Sequence, residues 1–282
     1  MGAQQTHRVV SSDGTEIVTK VHGQGPPLVM VNGVLEDGEL TWEGMVPLLA
    51  EEFTCLVMDT RGRGESGDHP DHSPPRLWED ISAVVDSVGQ PVGLVAESGG
   101  AGRVLGAAAR SSSVAAIAVY EPAVASMLSE EDAQRFEQGV ARMSALAAEG
   151  ETAAAARTFL SVVANDDELA ELPDEYFETA GSYIPVLLKE LEQSAQVDGP
   201  GPFDPESLER ITAPTLVLHG AQTALPRSFT AAVQHVAKHV PDARVVELGG
   251  LGHLGPAIAP ESVTPHLSKF FRDTLALPSP MG

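Results

Sequence analysis

A single cysteine, Cys55, occurs in the 282 residues, so no disulfide can form within the chain and its fold must rest on a packed core. Cys55 lies in the apolar run Cys55-Leu56-Val57-Met58. There a thiol reads as a small buried hydrophobe, because a reactive one needs an exposed, electropositive setting. Positive charge is scarce too: 17 Lys and Arg against 40 Asp and Glu give a formal net charge of −23. No basic run offsets this acidity, and such a surface repels phosphate backbones, so nucleic acid is not an expected partner. No apolar run approaches the roughly 18 residues of a membrane span. The stretch from Met1 to His7 lacks the apolar core of a signal peptide. A cytoplasmic protein without a membrane partner is expected. Zinc-type ligand spacing and internal repeats are both missing, and no metal is expected.

What is present is a core-forming composition, 43% apolar. The length suits one large α/β domain, or a core with an inserted sub-domain. The opening reads as a hairpin, strands 7–10 and 16–21 about Ser12-Asp13-Gly14. Strands follow at 27–31, 54–58, 91–95 and 114–120, near-continuous apolar runs of the kind buried on both faces of a parallel sheet. Helical patterns at 42–51, 77–88 and 99–110 separate them, and alternation of this kind implies a parallel sheet. From 129 to about 194 the pattern is helical only: 130–149, 151–163 and 173–193. The strand–helix rhythm resumes at 214–218 and continues with helix 229–239, strand 243–248 and a last helix over about 260–276. A tail at 277–282 reads as frayed. The boundaries are therefore an α/β core at 1–122 and 204–282, with a helical cap at 123–203. In the cap Met127, Phe159, Phe177 and Tyr183 are candidate pocket walls.

Two residues carry the chemistry. Ser98 sits in Ala96-Glu97-Ser98-Gly99-Gly100, after a buried strand and before a helix. A sharp strand-to-helix turn lifts a serine hydroxyl clear of the sheet, and it needs small residues two places before and after. The helix N-terminus also brings the Gly99 N–H to bear on a developing oxyanion. An ordinary helix N-cap serine is the plainer alternative. His253, in Gly249-Gly250-Leu251-Gly252-His253-Leu254-Gly255, follows the last strand on a glycine-rich loop. Of nine histidines it alone has the placement of a general base.

These motifs together resemble the α/β-hydrolase family over nearly the whole chain. Asn32-Gly33-Val34 resembles the His-Gly oxyanion turn after the third strand, with Asn in place of His. Asp59-Thr60-Arg61-Gly62-Arg63-Gly64-Glu65-Ser66 resembles the Asp-x-Arg-Gly-x-Gly-x-Ser loop after the fourth. Pro214 to Gly220 resembles the Pro-Thr-Leu-Val-Leu-His-Gly strand. The resemblance implies a mostly parallel sheet with helices on both faces, an oxyanion hole from the Val34 and Gly99 amides, and structural roles for Asp59, Arg61 and Gly64.

One departure matters. The family usually places an aspartate three residues past Gly220, where this chain has Thr223, and no carboxylate lies between Gly220 and Pro226. Glu121, at the end of the sixth strand in Val119-Tyr120-Glu121-Pro122, is the candidate replacement. Certain haloalkane dehalogenases carry their acid after that strand. Tyr-Glu-Pro also recurs in relatives that keep the usual aspartate, where it orients loops. Pro122 is expected to keep Glu121 extended. Asn32, Glu97 and Thr223 are candidates for substrate contact or for support of the catalytic groups, with Arg103 a candidate partner of Glu97.

The expected function is a cofactor-free serine hydrolase that cleaves an ester, thioester or lactone of a small to medium, largely apolar molecule. Two alternatives stay open. One is a lyase, cyclase or isomerase on the same fold, and the other a ligand-binding protein with degraded catalysis. A small molecule is the expected partner, and a homodimer is compatible with this reading.

Overall fold

A computed structural model describes residues 5–275. The expected frayed tail at 277–282 lies outside them. In chain order the elements are β1 (Gln5–Val10), β2 (Glu16–His22), β3 (Pro27–Val31), α1 (Gly38–Trp42), α2 (Val46–Leu49), β4 (Thr54–Met58), α3 (Pro74–Val88), β5 (Val92–Glu97), α4 (Gly100–Ala108) and β6 (Val114–Tyr120). A 3₁₀ turn (Ala125–Met127) leads into α5 (Glu130–Ala148), α6 (Thr152–Val163), α7 (Asp166–Glu171), α8 (Asp174–Ser182), α9 (Ile184–Ser194) and α10 (Pro205–Leu208). The chain ends β7 (Thr215–Gly220), α11 (Pro226–His239), β8 (Ala243–Leu248), α12 (Gly255–Ile258) and α13 (Pro260–Leu275).

The eight strands form one sheet in the order β1-β2-β4-β3-β5-β6-β7-β8. β1 and β2 pair antiparallel, as does β2 with β4, and the other pairs are parallel. This is the α/β-hydrolase fold. Alternate strand residues feed two cores. Val29, Val31, Leu94 and Ala96 pack with Trp78, Val104 and Val233 on one face. Leu28, Met30 and Val95 pack with Trp42, Phe270 and Phe271 on the other. Both faces are covered, which is why the central strands read as unbroken apolar runs. Cys55 is in the second core, and burial pushes its thiol pKa up to about 12. Between β6 and β7 the helices α5 to α9 build a third cluster around Met143, Phe159, Phe177 and Ile184, which packs against Leu35 and Leu254 of the sheet-end loops.

The sequence pattern runs through two helix breaks. Expected helix 42–51 is α1 and α2, and expected helix 173–193 is α8 and α9. Proline explains both. Pro47 and Pro185 stand at the first turns of α2 and α9. Neither can donate to the carbonyl four residues back, and each ring crowds that carbonyl, which favours a break at these points. The short α7, absent from the sequence reading, opens with a capping box between Asn165 and Glu168.

Candidate active site

The turn between β5 and α4 forces Ser98 into the left-handed region at φ 49°. Non-glycine residues occupy it at a cost, and such strain clusters at functional sites. The small neighbours follow from contact. A Cβ on Gly100 would sit 2.6 Å from the Asn32 carbonyl oxygen, and Ala96 is buried in the sheet. Ser98 N donates to Tyr120 O at 2.9 Å, and Ala123 N donates to Ser98 O at 3.2 Å, so the ends of β5 and β6 are stitched together.

Glu121 is the second strained residue, at φ 42°. This corrects the expectation of an extended Glu121. Its N–H still bonds Leu218 O at 2.8 Å, after which the chain must turn sharply off the sheet. The turn carries the carboxylate over the end of β7. There Oε1 accepts from Gly220 N at 3.0 Å, and Oε2 lies 2.8 Å from His253 Nδ1. His253 Nε2 is in turn 3.0 Å from Ser98 Oγ. Ser98, His253 and Glu121 thus form one continuous hydrogen-bonded chain, with Glu121 fully buried and His253 nearly so. With the carboxylate on Nδ1, the tautomer that leaves Nε2 free to accept the serine proton is favoured.

The imidazole is held from several sides. Phe229 packs on its ring at a centroid distance of 4.9 Å. Tyr120 donates its hydroxyl to Gly252 O at 2.5 Å. Glu168 of α7, which sequence reasoning did not single out, accepts from Leu254 N at 2.7 Å and from Asn165 N at 3.1 Å. Burial raises its pKa against those two bonds. The Asn-x-x-Glu capping pattern was the available signal for Glu168, although it says nothing of the histidine loop.

The other candidates lie apart from this chain. Asn32 is fully buried and donates to the Gly33 carbonyl at 2.8 Å and to Thr60 Oγ1 at 3.2 Å, so it staples its own loop and does not face the cavity. Thr223 Oγ1 is buried without a hydrogen-bond partner among the described residues. Glu97 lies against Glu36 instead of His253. Burial, then the Glu36 charge, raises its pKa well above the usual carboxylate range, and Tyr176 donates its hydroxyl to Glu36. Arg103 does not pair with Glu97 but with Glu190, at 2.8 Å. Asp59 accepts from Gly38 N and Glu65 N, and Arg61 forms a bidentate pair with Asp80 at 2.6 Å, so both order loops.

A cavity of about 260 Å³ opens beside Ser98. Val34 and Gly99 border it beside Ser98, and Phe136, Phe159, Leu187, Leu191 and Phe229 wall it off. Its lining carries no charged side chain. Of the four candidate walls only Phe159 is among its lining residues. Phe177 packs edge-on to Tyr176 within the helical segment, and the Tyr183 hydroxyl donates to Asp37. Among the described residues no cluster of three or more potential metal ligands occurs, and no helix is long and apolar enough to cross a membrane.

Comparison with known proteins agrees with this fold. The model of the alpha/beta hydrolase family matches residues 21–264. An alpha/beta hydrolase from Sphaerobacter thermophilus is 30% identical, with a TM-score of 0.72 over 94% of this chain and 100% of that one. The esterase RhEst1 from a Rhodococcus species superposes with a TM-score of 0.79 at 21% identity, covering 95% of this chain and 99% of that one, a likeness of fold. A protein of Mycobacterium tuberculosis named probable oxidoreductase EphD is 36% identical over 105 aligned positions that cover 34% of this chain. The chain spans only 18% of the length of that relative. On the family match and the full-length likeness to the Sphaerobacter protein, this chain belongs to the alpha/beta hydrolase family.

Proposed function

We propose that the chain is a cofactor-free serine hydrolase that cleaves an ester, thioester or lactone of a small to medium, largely apolar molecule. The observation that carries this reading is the unbroken Ser98–His253–Glu121 chain at the mouth of an uncharged cavity. Ser98 Oγ attacks the carbonyl carbon while His253 Nε2 takes its proton. Glu121, bonded to Nδ1, orients the ring and stabilises the imidazolium formed. The amides of Val34 and Gly99 stabilise the oxyanion. Among the described residues neither amide bonds a backbone carbonyl outside the regular elements, which leaves both available. Collapse of the tetrahedral intermediate breaks the bond to the alcohol or thiol, which receives the proton from His253. Water, activated by the same imidazole, then releases the acid from Ser98.

Residues 123–203 act as a cap. Phe136, Phe159, Leu187 and Leu191 come from that segment, and they offer an alkyl or aryl group dispersion contacts with no polar partner to satisfy. A charged acyl group would lose its hydration there without compensation.

The test is a fluorophosphonate probe together with a panel of p-nitrophenyl ester, thioester and lactone substrates of two to twelve carbons. One label per chain, on Ser98, with turnover highest for uncharged acyl groups of intermediate length, is expected. Labelling without turnover of any ester, thioester or lactone would favour the lyase or isomerase chemistry of the same fold. No labelling would overturn the nucleophile.

A further inference from the structure

Two buried guanidinium groups hold the carbonyl oxygens of the loop that bears Val34. Arg103 Nη1 donates to Asn32 O at 3.1 Å and to Gly33 O at 3.2 Å. Arg63 Nη2 donates to Val34 O at 2.6 Å. Arg103 stands on α4, one turn past Ser98, and Arg63 on the loop after β4. Both converge on one carboxylate from a different part of the chain, Glu190 of α9. Arg63 Nη1 lies 2.7 Å from Glu190 Oε1, and Arg103 Nη2 lies 2.8 Å from Oε2. The side chains are 0%, 5% and 7% exposed for Arg63, Arg103 and Glu190. Burial alone would raise the Glu190 pKa, but the two cations outweigh it and hold the carboxyl well below its ordinary range. His72 Nδ1, 3.9 Å from Oε1, is the next group on that side.

The consequence for the loop follows from peptide geometry. In a planar trans unit the N–H points opposite to the C=O, and the described residues contain no cis bond. The Gly33 carbonyl is drawn to Arg103 and to Asn32 Nδ2. The N–H of the same unit, which belongs to Val34, is therefore turned away from Arg103, and Val34 borders the cavity with Ser98 and Gly99. The helix that supplies Glu190 also supplies two cavity walls, Leu187 and Leu191.

The geometry points to Glu190 as a positioning residue: through Arg63 and Arg103, helix α9 fixes the Val34 peptide in the orientation that receives the oxyanion, so seating of the cap and stabilisation of the transition state are coupled. This rests on the hydrolase reading above and adds to it the part played by the cap. A guanidinium fork is what the arrangement requires, because one group must bond a carboxylate and a carbonyl at once from fixed directions. A lysine keeps the charge opposite Glu190 but cannot span both.

Arg103→Lys and Glu190→Gln are compared with wild type by melting temperature, by kcat and KM on an uncharged p-nitrophenyl ester, and by affinity for an alkyl trifluoromethyl ketone. The ketone adds to the serine and places an oxyanion in the hole. In Arg103→Lys, kcat is expected to fall about 10–100-fold per titrated site, with KM changed less than threefold and ketone affinity lost in parallel. Glu190→Gln should behave alike. If it fails to fold because two cations are left without their carboxylate, Arg103→Lys decides alone. A lower melting temperature with kcat and ketone affinity both within twofold of wild type means a purely structural triad and overturns the inference. A wild type that neither hydrolyses an ester nor binds the ketone overturns the hydrolase reading, and this inference with it.

Discussion

Glu97 closes β5, and Glu121 follows β6 by one residue, and the two strands pair in parallel with Glu97 opposite Tyr120. Both carboxyl groups are thus buried at the same rim of the sheet, on either side of Ser98 in the stitched turn. Their surroundings are opposite. Glu121 meets the Gly220 N–H and the imidazole, both able to donate to an anion. Glu97 meets the Glu36 carboxyl, which raises its pKa on top of the rise from burial, and the charge of Glu121 adds to the rise. The difference teaches that burial alone does not make a catalytic acid. A carboxylate can orient a base only where donors face it, and the strained turn at φ 42° delivers Glu121 to two of them.

The largest expected effect breaks the whole arrangement. Ser98→Ala should fold with an unchanged circular dichroism spectrum and lose ester hydrolysis by about 10⁴-fold or more. Hydrolysis within tenfold of wild type would mean that neither carboxyl serves a serine nucleophile. Next comes Glu121→Gln. The amide cannot stabilise an imidazolium and can enforce the wrong tautomer, so kcat/KM should drop by about 10²–10⁴-fold at neutral pH with little change in melting temperature. A drop smaller than threefold would place Glu121 with Glu97, as a carboxyl that only shapes the turn.

How far this contrast could be read from sequence depends on which interactions are local. The nucleophile turn, the strand–helix alternation and the histidine loop are written in contiguous residues, and the structure reproduces β3, β4, β6 and β8 at the expected limits. Thr223 in place of an aspartate directed attention to Glu121 because the loss is also local. The partners of Glu97 and Arg103 were not legible, since each is fixed by chain far away in sequence. Glu97 is 61 positions from Glu36 and Arg103 is 87 from Glu190. The extended Glu121 failed for a related reason. The preference of a residue before proline is weak, and the tertiary bonds of the β6 end override it.

Glu168 sharpens the comparison from a third side. Like Glu121 it is a buried carboxyl with two donors, but both of its donors are amides, and it bonds the backbone beside His253 and not the ring. Glu168→Gln keeps only one acceptor oxygen. It should lower the melting temperature by about 2–4 °C, corresponding to roughly 1 kcal/mol for a capping and loop bond. Through a looser histidine it should also lower kcat about three- to tenfold. A loss as large as that of Glu121→Gln would mean that the imidazole depends on two carboxylates.

The smallest effect should come from Glu97, and it should appear in stability against pH more than in turnover. Its pKa is higher in the folded chain than in the unfolded one, because burial and Glu36 disfavour its charge. Below the unfolded value, about 4.3, both states hold the proton and Glu97 contributes nothing to the pH dependence. Above it the unfolded chain releases a proton that the folded chain retains, so stability declines as pH rises toward the folded value. Glutamine cannot ionise, yet its amide still donates toward Glu36 as the protonated acid does. Glu97→Gln should therefore match wild type near pH 4 and melt about 2–4 °C higher near pH 8.5, with kcat lowered less than tenfold. Calorimetric scans across that range decide it. A variant that is less stable than wild type at high pH would show that Glu97 is ionised and favourably paired in the folded chain. The two strand ends would then share one electrostatic setting, and donors could no longer be what separates the carboxyl that orients the histidine from the one that does not.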